Sequence, residues 1–161
     1  MSNIKTLLKS NDKEAQYLAI NMVRNDKKLY EENKKEYESI SLFDRVKNFS
    51  DVCKELNEKE LTLDDFLQFG EDSVKMFACY KLKRIEKLFN EGWKIDVNDV
   101  NQIKFYPWYT AHGGFGFIVS RECSYGFDSA VAFYKSKKIS DYVGTVFLKE
   151  YKEFLTGKIE E

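Results

Sequence analysis

The chain has 161 residues, the size of one domain, and at 43% hydrophobic and 33% charged it is not a disordered chain. Its 26 basic and 27 acidic side chains leave a formal charge of -1, so net charge draws it neither to nucleic acid nor to an anionic surface. No apolar run approaches the roughly 18 residues of a membrane-spanning helix, MSNIKTLLKSNDKE turns polar after two leucines, and three cysteines without a C-x-x-C spacing argue against a disulfide framework. A chain of the reducing cytoplasm is expected, with no membrane partner.

At the N-terminus a short turn over 4–8 precedes a helix. Asn11 and Glu14 have the spacing of an N-cap and its reciprocal partner, and Ala15, Leu18, Ala19, Met22 and Val23 recur at helical intervals. KKLYEENKKEYES follows, too poor in apolar residues for a core and read as a solvated helix or connector. Val46, Phe49, Val52, Cys53 and Leu56 form the next stripe. Thr62 and Asp65 then cap a short helix carrying Phe66, Leu67 and Phe69 and ending at Gly70. The strongest periodicity of this half, Val74, Phe77, Ala78, Leu82, Ile85, Leu88 and Phe89, predicts a helix over 73–90 with Gly92 just beyond it.

From Trp93 the pattern changes to strands. Segments 104–109 and 115–121 predict a β-hairpin closed by the loop 110–114, where Gly113 and Gly114 serve positive-φ turn positions, and 130–135 predicts a third strand. Pro107, the one proline, has no N–H for a ladder, so its strand is expected at an edge or its position at a bulge. A last helix starts at Ser136 or Ser140, carries Ile139, Tyr142, Val143, Val146, Phe147, Tyr151, Phe154 and Leu155 on one face, and ends at Gly157. The fold class expected is α+β: N-terminal helices, a three-stranded antiparallel meander, and a C-terminal helix packed on the sheet. Residues 1–161 are expected to form a single domain, with a helical part over 1–70 and a helix-sheet-helix core over 73–157, because no Gly/Pro/Ser linker divides them.

NEGW at 90–93, KFYPW at 104–108, GFGF at 114–117 and FYKSKK at 133–138, followed by Tyr142, Gly144, Phe147, Tyr151, Phe154 and Leu155, resemble a family of small uncharacterised proteins encoded by Bacteroidetes bacteria and their phages. The resemblance covers roughly residues 75–156. It implies a bacterial host cell and a phage or mobile-element setting, and carries no catalytic residue.

Several chemistries find no support. His112 is the one histidine, so triad catalysis would have to run through a single loop imidazole, and Cys123 lies at the far end of the second strand from it. No carboxylate stands within nine residues of His112, and Asp96 and Asp99 in VNDVNQ lack the glycine and terminal glutamate of a calcium loop. HGGFGF continues as a strand where a phosphate loop would open a helix. No enzyme activity, cofactor or metal is expected. What remains is the aromatic hairpin: both faces of the sheet are apolar, so either helices cover both or one is left for a partner. The candidate surface is Tyr106, Trp108, His112, Gly113, Gly114 and Arg121, and the partner expected is another protein or a second copy of the chain. One alternative shares the residues, single-stranded nucleic acid stacking on the rings with Lys135, Lys137 and Lys138 beside them; the other, a structural role in a virion, rests only on the phage setting that the resemblance implies.

Overall fold

The structure, a computed structural model, describes residues 4–96, 98–110, 116–123 and 130–159. It divides into two compact units, Met1–Lys47 and Asn48–Glu161. Among the described residues no helix is long and apolar enough to cross a membrane.

In the first unit α1 (Ile4–Leu8), α2 (Lys13–Asn25), α3 (Lys27–Glu38) and the single turn α4 (Leu42–Arg45) surround a cluster of Leu8, Ala19, Ile20, Val23 and Tyr37. The cap of α2 is Asp12 and not Asn11: its carboxylate accepts from the N–H groups of Glu14 at 3.0 Å and Ala15 at 3.2 Å. Of the expected stripe, Ala19 and Val23 are buried while Leu18 and Met22 are exposed. KKLYEENKKEYES forms α3 and does contribute to the core, through Tyr37. That ring meets Tyr30 edge-on at 5.5 Å, lies 4.9 Å from the Arg45 guanidinium, and its hydroxyl accepts from Arg24 Nε at 3.0 Å. A tyrosine with a satisfied hydroxyl thus supplies the apolar area that the surrounding lysines and glutamates lack.

The second unit is built on α6 (Ser73–Asn90), against which α5 (Phe49–Glu55), a 3-10 segment (Leu63–Asp72) and α8 (Leu148–Thr156) all pack. The expected cap forms at the 3-10 segment, where the Thr62 N–H donates to the Asp65 carboxylate at 2.7 Å. It places Phe66 against Phe77 and Tyr80 of α6, at 5.4 and 5.5 Å.

The α+β class holds, but among the described residues the sheet has two strands where three were expected: β1 (Lys104–Thr110) and β2 (Gly116–Cys123), antiparallel, with Phe105 opposite Glu122 and Pro107 opposite Ser120. The third strand is reduced to one bridge, in which Phe105 and Tyr134 exchange both backbone bonds at 3.0 and 2.8 Å. Both directions of growth are closed. The next antiparallel pair on one side would set Ala132 opposite Pro107, which has no N–H to give. On the other side the partner would be Ser136, already the N-cap of α7 (Lys137–Val146), its hydroxyl accepting from the Ile139 N–H. The flanking backbone is held by side chains of α6 instead: Asn90 donates to the Phe133 carbonyl and accepts from the Lys135 N–H, and Glu86 accepts from the Phe133 N–H.

The bulge lies beside Pro107 and not at it. The register shifts between Trp108, opposite Val119, and Tyr109, opposite Phe117, leaving Ile118 as the extra residue. The single C-terminal helix expected is two helices, because its parts have different partners: α7 lies on both strands, α8 lies on α6, and the chain turns between them at the fully buried Phe147. At Gly144 α7 comes so close to the sheet that a Cβ there would stand 2.6 Å from the Phe117 ring and 3.0 Å from Pro107 Cβ. The expected end of α8 is present, with Gly157 at φ 69 as its left-handed cap.

Candidate functional site

β1 is the element on which the candidate surface is built. Its alternation puts Tyr106 and Trp108 on one face, with Arg121 and Val119 opposite them on β2. Tyr106 is buried, its ring edge-on to Phe133 at 5.7 Å, so it adds almost nothing to the exposed part of that face. Trp108 is 40% exposed, and the Arg121 guanidinium lies 3.7 Å from its ring centroid. Arg121 is the diagonal neighbour of Trp108, within reach of a long side chain, and such a cation-π pair contributes about 0.5–1 kcal/mol at an exposed site. Ile118 and Val119 continue the exposed apolar strip on β2. Of the expected surface, Trp108 and Arg121 lie side by side, while His112, Gly113 and Gly114 lie outside the described residues.

Where the third strand parts from β1, a cleft of about 240 Å³ opens. One wall is Pro107, Trp108 and Tyr109 of β1; the other is Tyr151, Phe154 and Leu155 of α8, with Ala130 and Val131 between. Pro107 therefore has a second consequence: by ending the ladder it leaves room beside Trp108. The Tyr109 ring sits 4.9 Å from Tyr151, its hydroxyl donates to the Gly144 carbonyl at 3.3 Å, and Tyr151 and Tyr134 share a buried hydroxyl pair at 3.1 Å. Burial pushes all three phenols above the usual tyrosine range, so they stay neutral. Among the described residues the lining offers rings and aliphatic groups and no ionised side chain. Those groups suit an apolar or aromatic guest.

Sequence reasoning missed the α8 wall. Tyr151, Phe154 and Leu155 have the spacing of a buried face, yet Leu155 is more than half exposed. A wider depression of about 670 Å³ lies at the C-terminal end of α6, around Leu56, Leu88 and Trp93. Two of its rim lysines are engaged, Lys83 with Glu86 at 2.6 Å and Lys87 with Glu58 at 2.5 Å. Among the described residues no group of three or more Cys, His, Asp or Glu is placed to hold a metal ion. No family model matches the chain, and neither a curated protein nor a solved structure matches it.

Proposed function

We propose that the protein acts by binding and not by catalysis, in a phage or mobile-element setting, and that it takes an apolar or aromatic side chain of a protein partner, in the first instance a second copy, at the cleft beside Trp108. The observation that carries this reading is Trp108 itself: a tryptophan two-fifths exposed, with Arg121 against it, at the mouth of an aromatic cleft. Tryptophan and arginine next to an apolar pocket are the residues that dominate association energies. Light scattering of the wild type and Trp108→Ala at several concentrations tests it. An oligomer that the substitution dissociates without unfolding is the expected result. Monomers in both cases, with the variant much less stable, would assign Trp108 to the core and overturn the reading.

The Trp108-Arg121 pair also has the form of a platform on which a nucleobase could stack, which keeps single-stranded nucleic acid as the second reading. The neighbouring cations weaken it, since Lys135 is paired with Glu91 at 2.6 Å and Lys137 with Asp141 at 2.7 Å. Oligonucleotide affinity that falls steeply with salt would favour this reading over the first.

A further inference from the structure

α8 has two roles on two faces. Tyr151, Phe154 and Leu155 form one wall of the cleft, while Glu150 and Glu153 reach Lys81 of α6. The Lys81 Nζ stands 2.8 Å from Glu153 and 3.9 Å from Glu150, and none of the three side chains is more than 12% exposed. The same ammonium lies 4.5 Å from the Phe77 ring centroid. Lys81 falls in the core register of α6, between Ala78 and Leu82, where an apolar side chain would be the ordinary choice.

One buried cation thus faces two buried carboxylates. Among the described residues, Lys81 from α6, Tyr109 from β1, and Lys149 and Glu153 from α8 itself are the charged and titratable groups that act on Glu150. Tyr109 is neutral and Lys149 is exposed, while α7, which also touches α8, turns Tyr142 toward Phe89. The short bond goes to Glu153, so the cost of a second buried negative charge falls on Glu150. Burial raises the Glu150 carboxyl above the usual glutamate range, with the backbone and Lys81 pulling only partly against it.

We infer that α8 is seated on α6 by a proton held in the Lys81-Glu150-Glu153 cluster, and that its release loosens α8 together with the Tyr151-Phe154-Leu155 wall of the cleft. The device does not depend on what the cleft binds. When α8 lifts, Glu150 reaches water and returns to the ordinary glutamate range, so the seated state holds the proton more tightly than the loosened one. Raising the pH from that range to the raised value therefore favours the loosened state, by up to about tenfold per pH unit for one proton. Below the window the equilibrium is flat, and above it the effect levels off.

Hydrogen exchange of the α8 amides in the full chain between about pH 5 and 8, corrected for intrinsic exchange, tests this directly. In the wild type, α8 protection is expected to fall by up to tenfold per pH unit and then level. In Glu150→Gln it is expected to stay flat at the low-pH wild-type value. Flat wild-type protection, or the same slope in the variant, would overturn the inference. A second measurement needs no variant: the carboxyl resonance of Glu150 followed with pH should titrate above the ordinary glutamate range, and titration within that range would refute the device.

Discussion

The Asn90 side-chain amide donates to the Phe133 carbonyl at 2.8 Å while its oxygen accepts from the Lys135 N–H at 3.1 Å, so the last residue of α6 pairs with the chain on both sides of Tyr134 as a strand would. Asn90 and Tyr134 are both buried, and these bonds satisfy the edge of the segment that faces away from β1, while Tyr134 itself pairs with Phe105 on the other edge. Asn90→Ala leaves one donor and one acceptor of the backbone without partners, at about 1–3 kcal/mol each. A loss near 3 kcal/mol is expected in urea unfolding, with the slope against denaturant unchanged and with faster amide exchange at Lys135. A loss under about 1 kcal/mol would mean that water replaces the amide without cost.

Gly144 is required by close approach and not by backbone conformation. Gly144→Ala drives a methyl to 2.6 Å from Phe117 and 3.0 Å from Pro107, so α7 must lift or the ring must turn. Overpacking of this kind costs about 1–3 kcal/mol. Phe117→Leu in the same chain should recover part of that loss, because the flat edge of the ring is the nearer obstacle. If the two losses simply add, the contact with Phe117 is not the cause.

The elements read most easily from the sequence are those decided by one local rule. The α6 stripe, the Thr62-Asp65 cap and the Gly157 stop each depend on residues within a few positions of one another, and all are present. The third strand failed for a non-local reason: 130–135 has strand composition, but whether it pairs depends on Pro107, some 25 residues earlier, and on Asn90, 43 residues before Phe133. The helix break at Phe147 is invisible to periodicity because both halves keep the same spacing while facing different partners. At the candidate site the alternation of β1 put Trp108 on its face, but the α8 wall could not be assigned without knowing that α8 returns to β1. The one clue to the buried charge cluster lay in plain view, a lysine at a core position of α6.

Cys53 is the cysteine least able to react. Burial, then the charges of Glu60 and Glu58, push its thiol up to about 11, whereas Cys79 and Cys123 are partly exposed. At pH 8 a thiol of that acidity is ionised in about one molecule in a thousand, and only the thiolate attacks a disulfide reagent. Native protein should therefore label at two sites quickly and at Cys53 at least about a hundredfold more slowly, with all three equal in urea. Equal rates in the native state would show that Cys53 is neither shielded nor suppressed.

Acid should destabilise the protein by a route opposite in sign to that of Glu150. Glu58 accepts from Lys87 at 2.5 Å and forms an ion pair with Arg84, 2.6 Å away, and the Lys87 bond in particular holds its carboxyl below the usual range. Asp141 is likewise held down, by Lys137 and by the Ser120 hydroxyl and N–H, against the opposing effect of burial. A depressed carboxylate contributes stability that is complete above the ordinary glutamate or aspartate pKa and is lost as pH falls through the depressed one. Tm should accordingly fall below about pH 4. Glu58→Gln should melt a few degrees below wild type at pH 7, and the gap should close as the pH drops. Glu150→Gln should do the reverse, melting with wild type at low pH and above it once Glu150 ionises. The two variants thus separate an exposed cluster that protons break from a buried one that a proton completes, and parallel pH profiles would leave neither assignment standing.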